Sequence, residues 1–146
     1  MPTGIEGGRI AVLVDLGSIN GWAVLVAAVV GYAIGAVWYA PPVFGKRWLA
    51  LGKSKDQLGD PVKPMVVQFS LALVIAAVLA AVVVRFGAVT WIEGAAIGFV
   101  LSVGLVSTSL LTAWMFGGFD MKLYRLQVGY KVVQFTAMGA ILGAWR

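Results

Sequence analysis

Four apolar stretches fill most of this 146-residue chain: Gly21–Ala40, Met65–Val84, Ala95–Gly118 and Leu126–Trp145. The first three hold no charged residue, and the fourth holds one, Lys131. A hydrocarbon layer about 30 Å thick is crossed by about 20 residues of apolar helix. Each stretch has that length. In lipid every backbone polar group must be satisfied within the protein, which an isolated apolar run achieves only as a helix. The sequence therefore predicts an all-α membrane protein, with four transmembrane helices in an up-down-up-down bundle and a short interfacial helix after the first span. One transmembrane domain covers 19–146, with spans at about 19–40, 64–84, 94–117 and 123–145, and 1–18 forms an N-terminal interfacial segment.

Composition narrows the chemistry. The chain is 61% hydrophobic and 12% charged, against about 25% charged in a soluble domain, so it could not cover itself with polar surface. Cysteine and histidine are absent. That removes thiol–disulfide exchange and the usual protein ligands of haem, zinc or copper. The six carboxylates, Glu6, Asp15, Asp56, Asp60, Glu93 and Asp120, all lie outside the apolar stretches. No nucleophile–base pair or carboxylate cluster is left to build an active site, and the expectation is a non-catalytic protein that requires no cofactor.

The net charge of +5 resides mainly in loops, where anionic headgroups attract it. Nucleic acid is not needed to explain it. With four spans, the 41–64 and 119–125 loops share a side and carry seven basic residues: Lys46, Arg47, Lys53, Lys55, Lys63, Lys122 and Arg125. The other side carries three, Arg9, Arg85 and Arg146. The positive-inside rule then puts both termini on the non-cytoplasmic side of a bacterial inner membrane. Residues Met1 to Asn20 lack the basic start of a cleaved signal, and Asp15 interrupts their short apolar run.

Local patterns refine the connections. Pro41-Pro42 stops the first helix, and the segment after it mixes aromatic, basic and apolar residues. Trp38, Tyr39, Phe44, Lys46, Arg47 and Trp48 read as an interfacial elbow contacting lipid or a partner, rings to the acyl boundary and cations to phosphate. Thr90 and Glu93 have the spacing of a capping box at the start of the third helix. Gly117-Gly118-Phe119-Asp120 breaks that helix into a tight turn.

Helices in lipid associate through small residues that allow close approach. The first span has Ala27, Gly31 and Gly35 at four-residue spacing, the second Ala72, Ala76 and Ala80, the third Gly94, Gly98 and Ser102, and the fourth Gly139 and Gly143. Gly31, Gly35, Gly139 and Gly143 are taken as helix-packing positions. Among polar positions, Gln127, Lys131 and Gln134 share one face of the fourth span. An ionisable group inside a span is costly and marks a functional candidate. Lys131 is also near enough to the cytoplasmic edge to snorkel toward phosphate as a plain anchor, and its depth favours that reading. Ser102, Ser109 and Thr112 fall on one face of a regular third helix. Together with Gln127, Lys131 and Gln134 they form a candidate polar seam, which Gln68 and Ser70 could close at its cytoplasmic end.

Trp38-Tyr39-Ala40-Pro41 followed by Phe44-Gly45-Lys46-Arg47-Trp48, together with Lys122-Leu123, Gly129-Tyr130 and Met138-Gly139-Ala140-Ile141-Leu142, resembles a family of small four-helix bacterial membrane proteins catalogued as a domain of unknown function. The resemblance covers about Ile19 to the C-terminus and implies four transmembrane helices without an assigned activity. Members of that family often carry Asn in place of Gln127 and His in place of Lys131. A permanent cation would alter any role that depends on a titrating imidazole.

Three functions fit these features. The first is an accessory or structural subunit packing in a larger membrane complex, energy-transducing or pigment-bearing, or against itself. The second is a small-solute or anion transporter or channel; the lack of a carboxylate within the spans argues against proton-coupled export of cations. The third is a protein that binds lipid or another hydrophobic ligand, with bound lipid, carotenoid or quinone as its occupants. Membrane lipids and other membrane-protein subunits or a second copy are the expected partners.

Overall fold

The long helix richest in polar residues is the one against which the others pack. The structure, a computed structural model, describes residues 16–52 and 59–145. A 3-10 turn, Leu16–Ser18, leads into α1, Gly21–Trp38. A single π-turn, Pro41–Gly45, then runs directly into α2, Lys46–Leu51. Helix α3 spans Val62–Arg85. The next long helix has two parts, α4 (Trp91–Leu101) and α5 (Thr108–Gly117), joined by a π-helical segment over Ser102–Ser107. Helix α6, Met121–Ala144, closes the chain and contacts all of α1 to α5 or their junctions. The described residues contain no strand. Apart from the Leu16–Ser18 turn, the expected N-terminal interfacial segment lies outside the described residues.

Among the described residues, three helical stretches are long and apolar enough to cross a membrane: Gly21–Trp38, Val62–Arg85 and Trp91–Gly117. Helix α6 has 24 residues, about 36 Å at 1.5 Å per residue, but Gln127, Lys131 and Gln134 dilute its apolar character and it is not among the three. The helix ends are fixed by local chemistry. Asn20 Oδ1 accepts from the Trp22 and Ala23 amides at 3.0 and 3.3 Å, and Asp60 Oδ1 accepts from Val62 N at 3.0 Å. Thr90 and Glu93 form the full capping box on α4. Asp120 caps α6 by accepting from Lys122 N at 2.7 Å, after Gly118 has turned the chain with φ of 66°, a conformation glycine adopts without strain.

Burial is inverted relative to a water-soluble bundle. On α3 the small Ala72, Ala76 and Ala80 are buried, whereas Val66, Leu71, Val74 and Val78 are all at least half exposed. Large apolar side chains turned outward belong against acyl chains; small ones turned inward let backbones approach. The closest approach is between α4 and α6. A Cβ added to Gly94 would run into the Gly139 carbonyl, one on Gly98 into the Phe135 carbonyl, and one on Gly143 into the Thr90 carbonyl. The α1–α6 contact is built differently: Gly31 and Gly35 receive the Met138 and Tyr130 side chains, whose nearest atoms would sit 2.6 and 3.0 Å from an added Cβ. The core therefore lies along α6, in a buried row at four-residue spacing: Leu126, Tyr130, Gln134, Met138 and Leu142.

Candidate functional site

Two members of that buried row are polar, and both are tied to neighbouring helices. Gln134 is fully buried; its Nε2 donates to the Gly31 carbonyl on α1 at 3.2 Å. Its Oε1 accepts from Lys131 Nζ at 3.3 Å. Tyr130, one turn earlier, has its hydroxyl accepting from Gln68 Nε2 of α3 at 3.3 Å. The Lys131 ammonium lies 4.9 Å from the centre of the Tyr130 ring, within cation–π range. A short polar chain thus links α3, α6 and α1 through Gln68, Tyr130, Lys131 and Gln134. Its ammonium is hydrogen-bonded to the amide three residues further into α6.

Beside this chain a cavity of about 600 Å³ opens between α1, α3 and α6, a size typical of small-molecule sites. Gln127, Tyr130 and Lys131 of α6 and Gln68 of α3 give it polar atoms. Tyr32, Ala36 and Met65 make apolar wall, while Tyr39, Trp48 and Asp60 line the end near the interhelical loop. The rings are fixed in series: Tyr39 meets Tyr130 edge-on at 5.5 Å and Trp48 at 5.7 Å. Tyr32 is held edge-on against Phe69 at 5.7 Å. Among the described residues no carboxylate pairs with Lys131, whose contacts are the Gln134 amide oxygen and the Tyr130 face. A half-buried ammonium beside apolar walls, with only a neutral acceptor, can take an anionic group at modest desolvation cost because most of that cost is already met in the fold.

The six positions of the expected seam separate into three sets. Gln127 and Lys131 line the cavity, and the buried Gln134 is bonded to Lys131. Ser102 is buried elsewhere, donating to the Phe99 carbonyl at 2.8 Å. Ser109 and Thr112 are exposed, and Thr112 bonds back to the Thr108 carbonyl at 3.2 Å. The π-helical segment is the reason. A common face for Ser102, Ser109 and Thr112 assumes 3.6 residues per turn throughout, but a π-turn inserts extra residues and rotates everything after it. Ser107 is the residue turned inward with Ser102, five positions on, donating to the Ser102 carbonyl at 2.8 Å. Tyr124 then donates to the Ser107 carbonyl at 2.9 Å and ties α6 to the distorted stretch. Ser70 is exposed and bonds to Val66 O at 2.9 Å, so it does not join the cavity.

The interfacial set is likewise divided. Lys46 and Arg47 are exposed, whereas the rings near them turn toward the bundle. Trp38 Nε1 donates to the Leu126 carbonyl at 3.2 Å and its ring packs on Phe44 at 4.7 Å. Tyr39 and Trp48 line the cavity. All four packing glycines, Gly31, Gly35, Gly139 and Gly143, face another helix of the same chain. Tyr130 enters the sequence pattern only within the Gly129-Tyr130 pair, yet its position marks it as part of the site. It lies four residues before Gln134 and three after Gln127, on the stripe already singled out for its glutamines.

No curated protein and no solved structure matches the chain. A family model does match, over residues 22–143, a span that holds the cavity and all of the long helices but the first residue of α1 and the last of α6. The chain therefore belongs to the family described as "Protein of unknown function (DUF1761)".

Proposed function

We propose that this chain is a non-catalytic, four-span protein of the bacterial inner membrane that holds a small hydrophobic or amphiphilic ligand within the bilayer. The observation that carries the reading is the cavity of about 600 Å³ between α1, α3 and α6, apolar along most of its wall and polar where Gln68, Gln127, Tyr130 and Lys131 converge. Concave, mostly apolar sites with a few converging polar groups are the usual form of a ligand pocket. As the fourth span, α6 crosses the membrane with Gln127, Lys131 and Gln134 turned to α1 and the cavity, which is how a helix with Lys131 and two glutamines is tolerated there. The packing glycines face other helices of this chain, so the small-residue faces that suggested an accessory subunit are accounted for without a partner. The seven-to-three excess of basic residues on the 41–64 and 119–125 side supports termini on the non-cytoplasmic side.

Purification in a mild detergent, organic extraction and mass spectrometry of the bound small molecules test the ligand reading. Ala36 lines the cavity and is exposed to it, so Ala36→Phe should reduce the volume without touching the polar chain. A defined set of amphiphiles retained by the natural protein and depleted several-fold from a monodisperse Ala36→Phe variant is the expected result. Identical extracts from the two would refute the reading, and tight co-purification of a stoichiometric protein partner would return the subunit reading to first place. Terminal reporter fusions test orientation: Lys46→Gln with Arg47→Gln should weaken or invert it, and an unchanged topology counts against the charge argument.

A further inference from the structure

We propose that the ligand is a single-chain amphiphile with a carboxylate head, and that Lys131 binds that head. The inference rests on reading the cavity as a ligand site and adds the sign and size of the ligand's charge. Among the described residues two charged side chains line the cavity, Lys131 and Asp60, and they differ in what they lack. Asp60 is exposed near the loop, and its Oδ1 already accepts from Val62 N at the start of α3; left unpaired in water, it costs little. Lys131 is half-buried and has no described carboxylate to pair with, only a neutral amide oxygen at 3.3 Å and a ring face. Of its three ammonium donors, Gln134 engages one. An unpaired ammonium away from water is the costlier omission, so an anion delivered by the ligand gains most beside Lys131.

The neighbouring atoms fit the same species. Gln127 lines the cavity and can donate its amide beside Lys131, giving a carboxylate oxygen a second partner. One cation balances one negative charge, which suits a carboxylate; a phosphate monoester would bring close to two, and among the described residues no second cation lines the cavity. Asp60 at the loop end repels an acid there, so the two charges orient the ligand with its head at Lys131. Its chain then lies along the wall formed by Tyr32, Ala36 and Met65.

Trp48 lines the same cavity, which supplies a reporter. The purified protein is titrated with a brominated long-chain fatty acid, its methyl ester and the corresponding alkyl phosphate. Binding is read as tryptophan quenching in excess of that of a Trp48→Phe variant. The acid should bind about tenfold or more tightly than the ester, the range expected for a hydrogen bond to a charged group. Lys131→Gln should erase that preference while leaving ester binding in place, and Lys131→Arg, which keeps the cation, should retain it. Equal binding of acid and ester by the natural protein, unchanged in Lys131→Gln, overturns the carboxylate assignment and leaves the cavity reading standing. Tighter binding of the phosphate also overturns it. A natural protein in which no probe produces excess quenching overturns both readings.

Discussion

Helix α6 meets its neighbours through two seams that use glycine in opposite ways. Against α4 the glycines are on both sides and backbone meets backbone: Gly94 and Gly98 face Gly139, Gly143 and the Phe135 carbonyl. Against α1 each glycine meets a side chain rather than a backbone, Gly129 of α6 facing the Trp38 ring. Gly31 and Gly35 make hollows that the Met138 and Tyr130 side chains fill, with the Gln134 amide reaching across to the Gly31 carbonyl. The first seam has no room for an added atom and no side chain that could move aside. The second is lined by rotatable side chains, and on it the cavity opens. Close packing thus fixes one side of α6 so that the other can be left partly filled.

This difference can be broken most severely at the backbone seam. Gly139→Leu should prevent the α4–α6 approach, since even a Cβ collides with the Gly94 carbonyl. The expected outcome is loss of monodisperse protein in detergent size-exclusion profiles, a cost above the ~1–3 kcal/mol of ordinary overpacking because no rotamer relieves it. Gly94→Ala tests the same seam with the smallest possible addition and should still lower the midpoint of thermal unfolding markedly. A tolerated alanine there would mean that the two backbones are not in contact.

On the side-chain seam the corresponding insult should be milder and reparable. Gly31→Ala brings a Cβ within 2.6 Å of Met138 Sδ, the flexible part of an adaptable residue, and should cost about 1–2 kcal/mol. Met138→Ala alone should cost about 2–5 kcal/mol, as for removal of a fully buried large side chain. Combined, the two should be less destabilising than their sum, because the new methyl occupies part of the space that the thioether leaves. Additive effects in such a cycle would show that Gly31 and Met138 are not neighbours.

How much of this was legible in the sequence follows the same division. Apolar length and small-residue spacing gave the helices and the packing glycines, since both depend on local periodicity alone. The elbow rings were legible as a group near the membrane edge, but not their direction. Trp48 turns inward because the π-turn over Pro41–Gly45, closed by Gly45 N donating to Ala40 O at 3.0 Å, folds α2 back so that its ring meets Tyr39, whereas Trp38 ends α1 with its Nε1 on the Leu126 carbonyl. Ser109 and Thr112 were misplaced by a departure from 3.6 residues per turn that no residue type in Ser102–Ser107 announces. The cavity was out of reach for a different reason. It is a volume left between three helices, set by how far α1 and α3 stand apart at one end, and spacing along a single strand of sequence carries no such distance.

The polar link across the side-chain seam should contribute least to stability, and its removal sharpens the contrast from the other direction. Gln134→Leu deletes the donor to Gly31 O and the acceptor for Lys131 Nζ, held at 3.2 and 3.3 Å. Within membrane bundles such interhelical hydrogen bonds average about 0.6 kcal/mol, with model peptides giving about 1–2. The Gly31 carbonyl lies inside α1 and keeps its helical partner, so no acceptor there is stranded. Leucine also fills most of the vacated volume, and the loss should be about 1 kcal/mol, seen as a small drop in the unfolding midpoint. The ammonium, however, loses its one hydrogen-bond acceptor among the described residues. Combining Gln134→Leu with Lys131→Met should therefore recover part of the loss, since the second change removes a charge that has become harder to keep out of water. If the double variant is instead less stable than Gln134→Leu alone, the ammonium is satisfied by something other than Gln134. The cation would then already have its partner, and the asymmetry between a filled seam and an unfilled one would have to be redrawn around it.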